Sequence, residues 1–405
     1  VKILLLTHKL PWPLHDGYNL HNDNYVRQLR GRHEFHLVSL GAAVCADADG
    51  PGELPAELSE CYASVAVVPV QAQPRAQSTL VRLATSVSVR HIFDDDPAVA
   101  AAIAEVLARE SIDVVWTSGA KMLVHSRRLN TLPVLGDIAD EALKEAREDL
   151  RRSRGAIGRA RALKNFINTW RYQRRYLKHV NVCTVVSEVD KQTLQRNCPG
   201  LDVRVIPNGV DADVYQPQGS EPDHPSLVFE GSMDFRPNIE GIVAFCKDTL
   251  PLIRRQCPDV HLTIVGKDPA PAVAALAGPG VEVTGFVDDV RPYVDRSSVF
   301  VCPLRRGAGI KNKILQAWAM EKPVVATSVS CGGLALSEGE NILVADAPDE
   351  FARVVLELLD DPERCAELGR NGRRTVLEHS SWEATASRME AILGDVVAAG
   401  PATRR

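Results

Sequence analysis

The 405-residue chain has no CxxC pair, no clustering of histidine with cysteine and no strand-linked GxGxxG. Nor does any apolar run approach the roughly 18 residues that a membrane span requires. Its nine cysteines stand apart, at 45, 61, 183, 198, 246, 257, 302, 331 and 365. A disulfide framework or a zinc site needs closer spacing, so the thiols read as reduced and structural, as expected of a cytosolic protein. Without GxGxxG a dinucleotide oxidoreductase has little support. A net charge of −5 argues against a protein built around nucleic acid. The opening Val1-Lys-Ile-Leu-Leu-Leu-Thr7 is too short for the apolar region of a signal peptide and reads as a first strand. No internal repeat is visible.

What is present is an alternation of short apolar runs with longer amphipathic stretches, the pattern of α/β domains with parallel sheets. Strands are expected near 2–7, 34–40, 64–69, 112–116, 132–136, 182–186 and 203–206, then again at 226–230, 261–265, 281–284, 298–302, 323–326 and 342–344. Between the two sets lies Gln216-Pro-Gln-Gly-Ser-Glu-Pro-Asp-His-Pro225, polar and proline-rich. The division predicts a Rossmann-like domain over 1–215, a linker over 216–225 and a second Rossmann-like domain over 226–380. A helix over 381–397, packing on the second domain or crossing back to the first, and a disordered tail over 398–405 complete the chain. In two doubly wound domains so joined, ligands are expected in a central cleft at the carboxyl ends of the strands.

Several segments could carry chemistry. Gly307-Ala-Gly-Ile-Lys-Asn-Lys-Ile-Leu-Gln316 is a glycine-broken, basic loop opening an amphipathic helix, followed by Lys322-Pro and an apolar strand. Helix N-termini present unpaired N–H groups and partial positive charge, a natural seat for phosphate, and Lys311 and Lys313 add full charges. Leu227-Val-Phe-Glu-Gly-Ser-Met-Asp-Phe-Arg236-Pro-Asn238 again runs from a strand through glycine into a helix. Arg236 there could hold a diphosphate or form a surface ion pair, and Lys267 follows the next strand. The first strand runs into a loop with His15, Asp16 and Gly17 just before a helix, where glycine lets backbone N–H groups approach a ligand. Asp137 ends another strand, with Asp140 beyond it. As a carboxylate it could accept a proton, and as an aspartate it could cap a helix. Asp94-Asp-Asp-Pro97 reads as a helix cap rather than a metal site. Lys144–Lys178 holds about twelve basic residues against three acidic ones with apolar residues interleaved. That suits a solvated helix face, an anionic membrane or a phosphorylated acceptor.

Asn312-Lys-Ile-Leu-Gln-Ala-Trp-Ala-Met-Glu-Lys-Pro-Val-Val-Ala-Thr327, together with Ile206-Pro-Asn-Gly-Val-Asp211 and the Gly231–Asn238 loop, resembles the family 4 retaining glycosyltransferases, particularly the exopolysaccharide type. The resemblance covers nearly the whole chain. It implies an α/β GT-B fold and a sugar moved from a nucleoside diphosphate donor to a glycan, lipid-linked or small natural-product acceptor. It further implies no metal and no cofactor beyond the donor. On this reading Gly17, Arg236, Lys267, Gly309, Ile310, Lys311, Asn312, Lys313 and Gln316 bind the donor, His15, Asp16 and Asp140 bind the acceptor, and Asp137 acts in catalysis. The chain departs from the family motif at both acidic positions, Ala308 and Gln316. Glutamine still offers an acceptor oxygen to a ribose, without charge assistance, at a cost of about 1 kcal/mol. Those departures keep a second reading open, a degenerate GT-B protein that binds nucleotide or glycan without turnover. A nucleotide-sugar 2-epimerase shares the architecture but lacks the PNGVD and EAMA-type segments.

Overall fold

The computed structural model describes residues 1–12, 17–41, 56–69, 96–138, 142–153, 155–220, 225–307 and 310–402. His15, Asp16, Asp94, Asp140, Ala308 and Gly309 lie outside the described residues. The chain forms two compact units, one of Val1–Ile206 with Ala386–Arg405, the other of Pro207–Thr385.

The first unit holds a seven-stranded sheet of β1 (Lys2–Thr7), β2 (Glu34–Gly41), β3 (Ser64–Pro69), β4 (Val114–Ser118), β5 (Val134–Ile138), β6 (Val182–Val185) and β7 (Asp202–Val205). Its order is β3-β2-β1-β4-β5-β6-β7, and every pair is parallel. The central strands β1, β4 and β5 are buried almost end to end. Helices cover both faces of such a sheet, so its strands read as continuous apolar runs rather than alternations. Strands β4 and β5 begin later than their apolar runs. Ile112 and Leu132 are used in the turns that feed them, where the Leu132 N–H donates to the Leu129 carbonyl. Asp96 caps the helix Pro97–Arg109 through the Ala98 N–H at 2.8 Å, as the Asp-Pro pair predicts.

The second unit repeats the plan with β8 (Ser226–Glu230), β9 (His261–Val265), β10 (Val281–Gly285), β11 (Val299–Cys302), β12 (Val324–Ala326) and β13 (Leu343–Val344), ordered β10-β9-β8-β11-β12-β13 and all parallel. In both sheets the order reverses beside the first strand, at β1/β4 and β8/β11. That is the switch point at whose carboxyl edge doubly wound folds bind ligands.

The polar stretch read as a linker belongs to the second unit, which begins at Pro207. The buried Asp295 carboxylate accepts the Gln218 and Ser220 N–H groups at 2.9 Å each and pins the stretch down. Burial works against that charge, yet the donors win and hold the carboxyl below its ordinary range. The last helix spans Trp382–Ala399. Its later residues are tied within the first unit by Arg32 and His33 to Glu390, at 2.7 and 2.8 Å, and by Arg204 to Asp395. The expected tail is helical through Ala399, and the Gly400 carbonyl accepts from Asn181 at 2.8 Å.

Two helical glycines differ in their surroundings. A Cβ on Gly369 would stand 1.9 Å from the Glu321 carbonyl oxygen, whereas one on Gly394 meets nothing within 4 Å. Gly369→Ala is therefore expected to lower unfolding stability by about 1–3 kcal/mol, since the backbone it strikes must move. Gly394→Ala should raise stability by up to about 1 kcal/mol through helix propensity. Denaturant titration of the two variants checks both signs.

Candidate functional site

At the carboxyl edge of the second sheet the chain is reduced to bare backbone. Gly231, after β8, has φ +148°, and a Cβ there would lie 2.5 Å from Lys313 Nζ and 2.8 Å from Asn238 Nδ2. Gly266, after β9, has φ +154°, and its Cβ would lie 1.7 Å from the Gly231 carbonyl oxygen. No side chain fits at either place, so two strand ends close on each other through their main chains. The Gly231 N–H donates to Val265 O and the Met233 N–H to Lys267 O, both at 2.9 Å. Beside this floor, past β11, the helix Asn312–Ala319 begins at Lys311 with no side-chain cap. The first N–H groups of a helix have no partner within it and carry its positive pole.

Lys313 is turned toward the sheet. Its ammonium donates to the Glu230 carbonyl and, at 3.0 Å, to Asn238 Oδ1, and lies 4.3 Å from the centroid of the Phe229 ring. Burial lowers its pKa, and the neighbouring Glu230 opposes that fall. The Glu230 carboxyl, itself 8% exposed, is raised by burial against the pull of Lys313. The amine thus meets Glu230 through its main-chain carbonyl, and the two charges act on each other through space. Lys311 is buried and reaches the Gly307 carbonyl at 3.3 Å.

The other residues expected at a donor site fall around this floor. Ile310 is packed against the core, Asn312 is exposed and Gln316 is half-buried. Asn312 Oδ1 accepts from Asn208 Nδ2 at 3.4 Å, so the Pro-Asn-Gly turn touches the helix start. Gly209 in that turn lies against the Trp382 ring, which an added Cβ would meet at 2.4 Å. Lys267 is exposed just past β9. Arg236 opens the helix Arg236–Ala244 with its side chain 77% exposed and makes the surface ion pair, its Nε 2.8 Å from Glu240. Glu240 also pairs with Arg306.

In the first unit Asp137 lies within β5 and does not cap the next helix, which begins at Ala142. It is 3% exposed. One oxygen accepts Thr184 Oγ1 at 2.9 Å, and the other stands 2.7 Å from His21 Nε2. A carboxylate offers only acceptors, so the imidazole presents a proton at Nε2. Gly17 is exposed and opens the helix Gly17–Leu29 that carries His21. Beside it Tyr18 donates to the Ser118 carbonyl at 3.0 Å, and its ring lies 4.2 Å from that of His8. Burial raises the Tyr18 pKa well above the usual phenol range. Gly119, at φ +81°, leaves space for the His8 ring, 3.0 Å from where its Cβ would be.

Sequence reasoning missed His21, Thr184, Glu230 and Asn238. The sequence offered no signal for His21, because Asn19, His21, Asn22 and Asp23 form a polar run that only the fold shows to be buried. Polar side chains are not placed on a buried helix face by hydrophobicity.

Among the described residues, one cluster has ligand atoms close enough for a metal, Glu34, His36 and Glu110. The Lys2 ammonium is bound to both of its carboxylates, at 3.3 and 2.7 Å, and supplies their counter-charge.

Residues 224–361 match the model of the family described as glycosyl transferases group 1. Alpha-maltose-1-phosphate synthase of Mycolicibacterium smegmatis is 29% identical over 250 residues, 53% of this chain and 63% of that protein. The chain spans 36 to 63% of the length of the first curated relatives it matches. Among solved structures, sucrose-phosphate synthase from Thermosynechococcus elongatus superposes with a TM-score of 0.70 at 19% identity, over 98% of this chain and all of the other. HepE of Anabaena in complex with UDP gives 0.67 at 16% identity, over 98% of this chain and all of the other. At such identities these likenesses speak for the fold. Residues 224–361 thus resemble the glycosyl transferases group 1 family, and the two parallel sheets have the GT-B fold.

Proposed function

We propose that the protein is a retaining glycosyltransferase that takes a hexose from a nucleoside diphosphate, without a metal, and passes it to a glycan, lipid-linked or small-molecule acceptor. One observation carries the reading, namely the side-chain-free floor at Gly231 and Gly266 beside the uncapped start of the helix Asn312–Ala319. Backbone can approach a diphosphate there as no side chain would allow, and fixed N–H dipoles face negative charge without reorganising. Lys311 adds a cation at that helix start. Gln316, half-buried on the same helix, is offered to the ribose. UDP is the first nucleotide to try, since HepE, which shares the fold, was solved with it.

Asp137 is proposed to stabilise the developing oxocarbenium ion or to accept the acceptor's proton, with His21 and Thr184 fixing its two oxygens. Peripheral contact of 144–178 with a membrane belongs to the same reading. The rival is a binder without turnover, favoured by the neutral residue at 316.

The test begins with thermal shifts of the wild type against UDP, GDP, dTDP and ADP. One nucleotide is expected to stabilise the protein, and stabilisation by none of them would sink the donor site. Lys311→Ala should weaken that nucleotide about tenfold, the loss of one charge-assisted contact. Gln316→Glu should tighten it by about 1 kcal/mol. Asp137→Asn should keep nucleotide binding while donor turnover falls by about 10²–10³-fold. Nucleotide binding with no turnover of any matched donor sugar would favour the non-catalytic reading. Chelation with EDTA is expected to leave turnover unchanged, and a loss restored by Mg²⁺ would refute metal independence.

A further inference from the structure

Two arginines at the carboxyl edge of the second sheet share one carboxylate. Arg236 opens the helix Arg236–Ala244 after β8, and Arg306 stands in the loop after β11, one residue before Gly307. Strands β8 and β11 are the neighbours between which the strand order reverses. Both guanidinium groups pair with Glu240, Arg236 through Nε at 2.8 Å and Arg306 through Nη2. Glycines bring the two loops together. A Cβ on Gly241 would stand 2.9 Å from the Pro303 carbonyl oxygen. One on Gly307, at φ +127°, would stand 3.5 Å from Lys311 Nζ and 3.9 Å from Pro237 Cβ. Arg306 is thus next in the chain to the residue whose carbonyl Lys311 binds. Two other acids of these elements have their own partners. Asp234 accepts from Ser232 Oγ at 2.6 Å, and Asp248 pairs with Arg305 at 2.9 Å.

We propose that Arg236 and Arg306 form an anion clamp, held by Glu240, and that the diphosphate of the donor displaces Glu240 from it on binding. The inference deepens the donor-site reading and rests on it. It adds two cations and a built-in competitor to a site argued so far from backbone and Lys311. The charges favour the exchange. Glu240 supplies a single negative charge to two guanidinium groups, whereas a diphosphate carries more than one and offers more acceptor oxygens. Each planar guanidinium fork can take two of those oxygens at once. Little is lost in the exchange, because the Arg236 and Glu240 side chains are 77 and 40% exposed, and exposed ion pairs contribute little. The Arg306 side chain is 22% exposed, so its charge is less screened and it carries more of the gain. Glu240 therefore sets a threshold that a neutral nucleoside does not pay back and a diphosphate does.

The test is titration of the full chain with UDP, with uridine and with inorganic pyrophosphate, at low and at high salt. Glu240→Gln keeps the shape and removes the competing charge. It is expected to tighten UDP and pyrophosphate by about fivefold and to leave uridine unchanged. The gain should shrink as salt rises. Arg306→Gln should weaken UDP by about tenfold. Adding Arg236→Gln and Arg306→Gln to Glu240→Gln should abolish the gain. A Glu240→Gln variant with the wild-type thermal midpoint and unchanged or weaker UDP binding overturns the proposal. So does a gain that survives loss of both arginines. Should Glu240→Gln fail to fold, Arg236→Gln with Arg306→Gln decides, and unaltered pyrophosphate affinity in that variant overturns the proposal equally. Tighter pyrophosphate binding without any nucleotide binding would leave the clamp standing while the donor site falls. UDP binding that Glu240→Gln does not improve would do the reverse, and absence of both probes from both proteins defeats the two together.

Discussion

The contact of Gly266 with the Gly231 carbonyl is the constraint on which the candidate donor site depends. Two adjacent parallel strands, β8 and β9, must end with their backbones in contact for the following loops to lie flat at the sheet's edge. A single β-carbon at Gly266 would overlap that oxygen at 1.7 Å. The loop after β8 can then turn back as Ser232–Asn238, and Asn238 folds under it with its amide donating to the Ser232 carbonyl at 2.8 Å.

The Lys313 ammonium closes the same corner from below. An amine buried against a ring face, a carbonyl and an amide oxygen loses hydration, and the hydrogen bonds and the ring quadrupole return part of that loss. Its partner Glu230 is equally desolvated, and each group moves the other's charge against the effect of burial. Lys313 is best understood as a support, its bonds to the Glu230 carbonyl and to Asn238 fixing the backbone before Gly231 and the first turn of the helix Asn312–Ala319 relative to each other. On the proposed function, phosphate recognition would rest on that helix start and Lys311 more than on Lys313, a division of labour between two lysines that stand two residues apart.

Much of this was legible beforehand, and the reason is physical. Strands buried on both faces must be apolar throughout, so each announced itself as a run whatever packed against it. The Asp96-Pro97 cap is local chemistry and needs no tertiary knowledge. What could not be read depends on partners distant in sequence. Asp137 was visible as a strand-end carboxylate, but its pairing with His21 spans 116 residues. The stretch 216–225 has the composition of a linker, and only the distant Asp295 makes it part of a domain. Arg236, by contrast, pairs with Glu240 one turn along its own helix, a contact that local spacing already allows.

The helix Ala156–Tyr176 shows the same limit from the other side. Periodicity reveals that a helix has two unlike faces and is silent on which one turns inward. Ordinary packing would put Leu163, Ile167 and Trp170 inside and expose Asn168, Thr169 and Gln173, and the fold does the opposite. The buried polar face is tolerated because its groups find partners. Gln173 accepts from Asn197 at 2.6 Å, and the Tyr172 hydroxyl lies 3.0 Å from each of the Ala120 and Lys121 carbonyls. The exposed apolar face has no comparable compensation within the described chain.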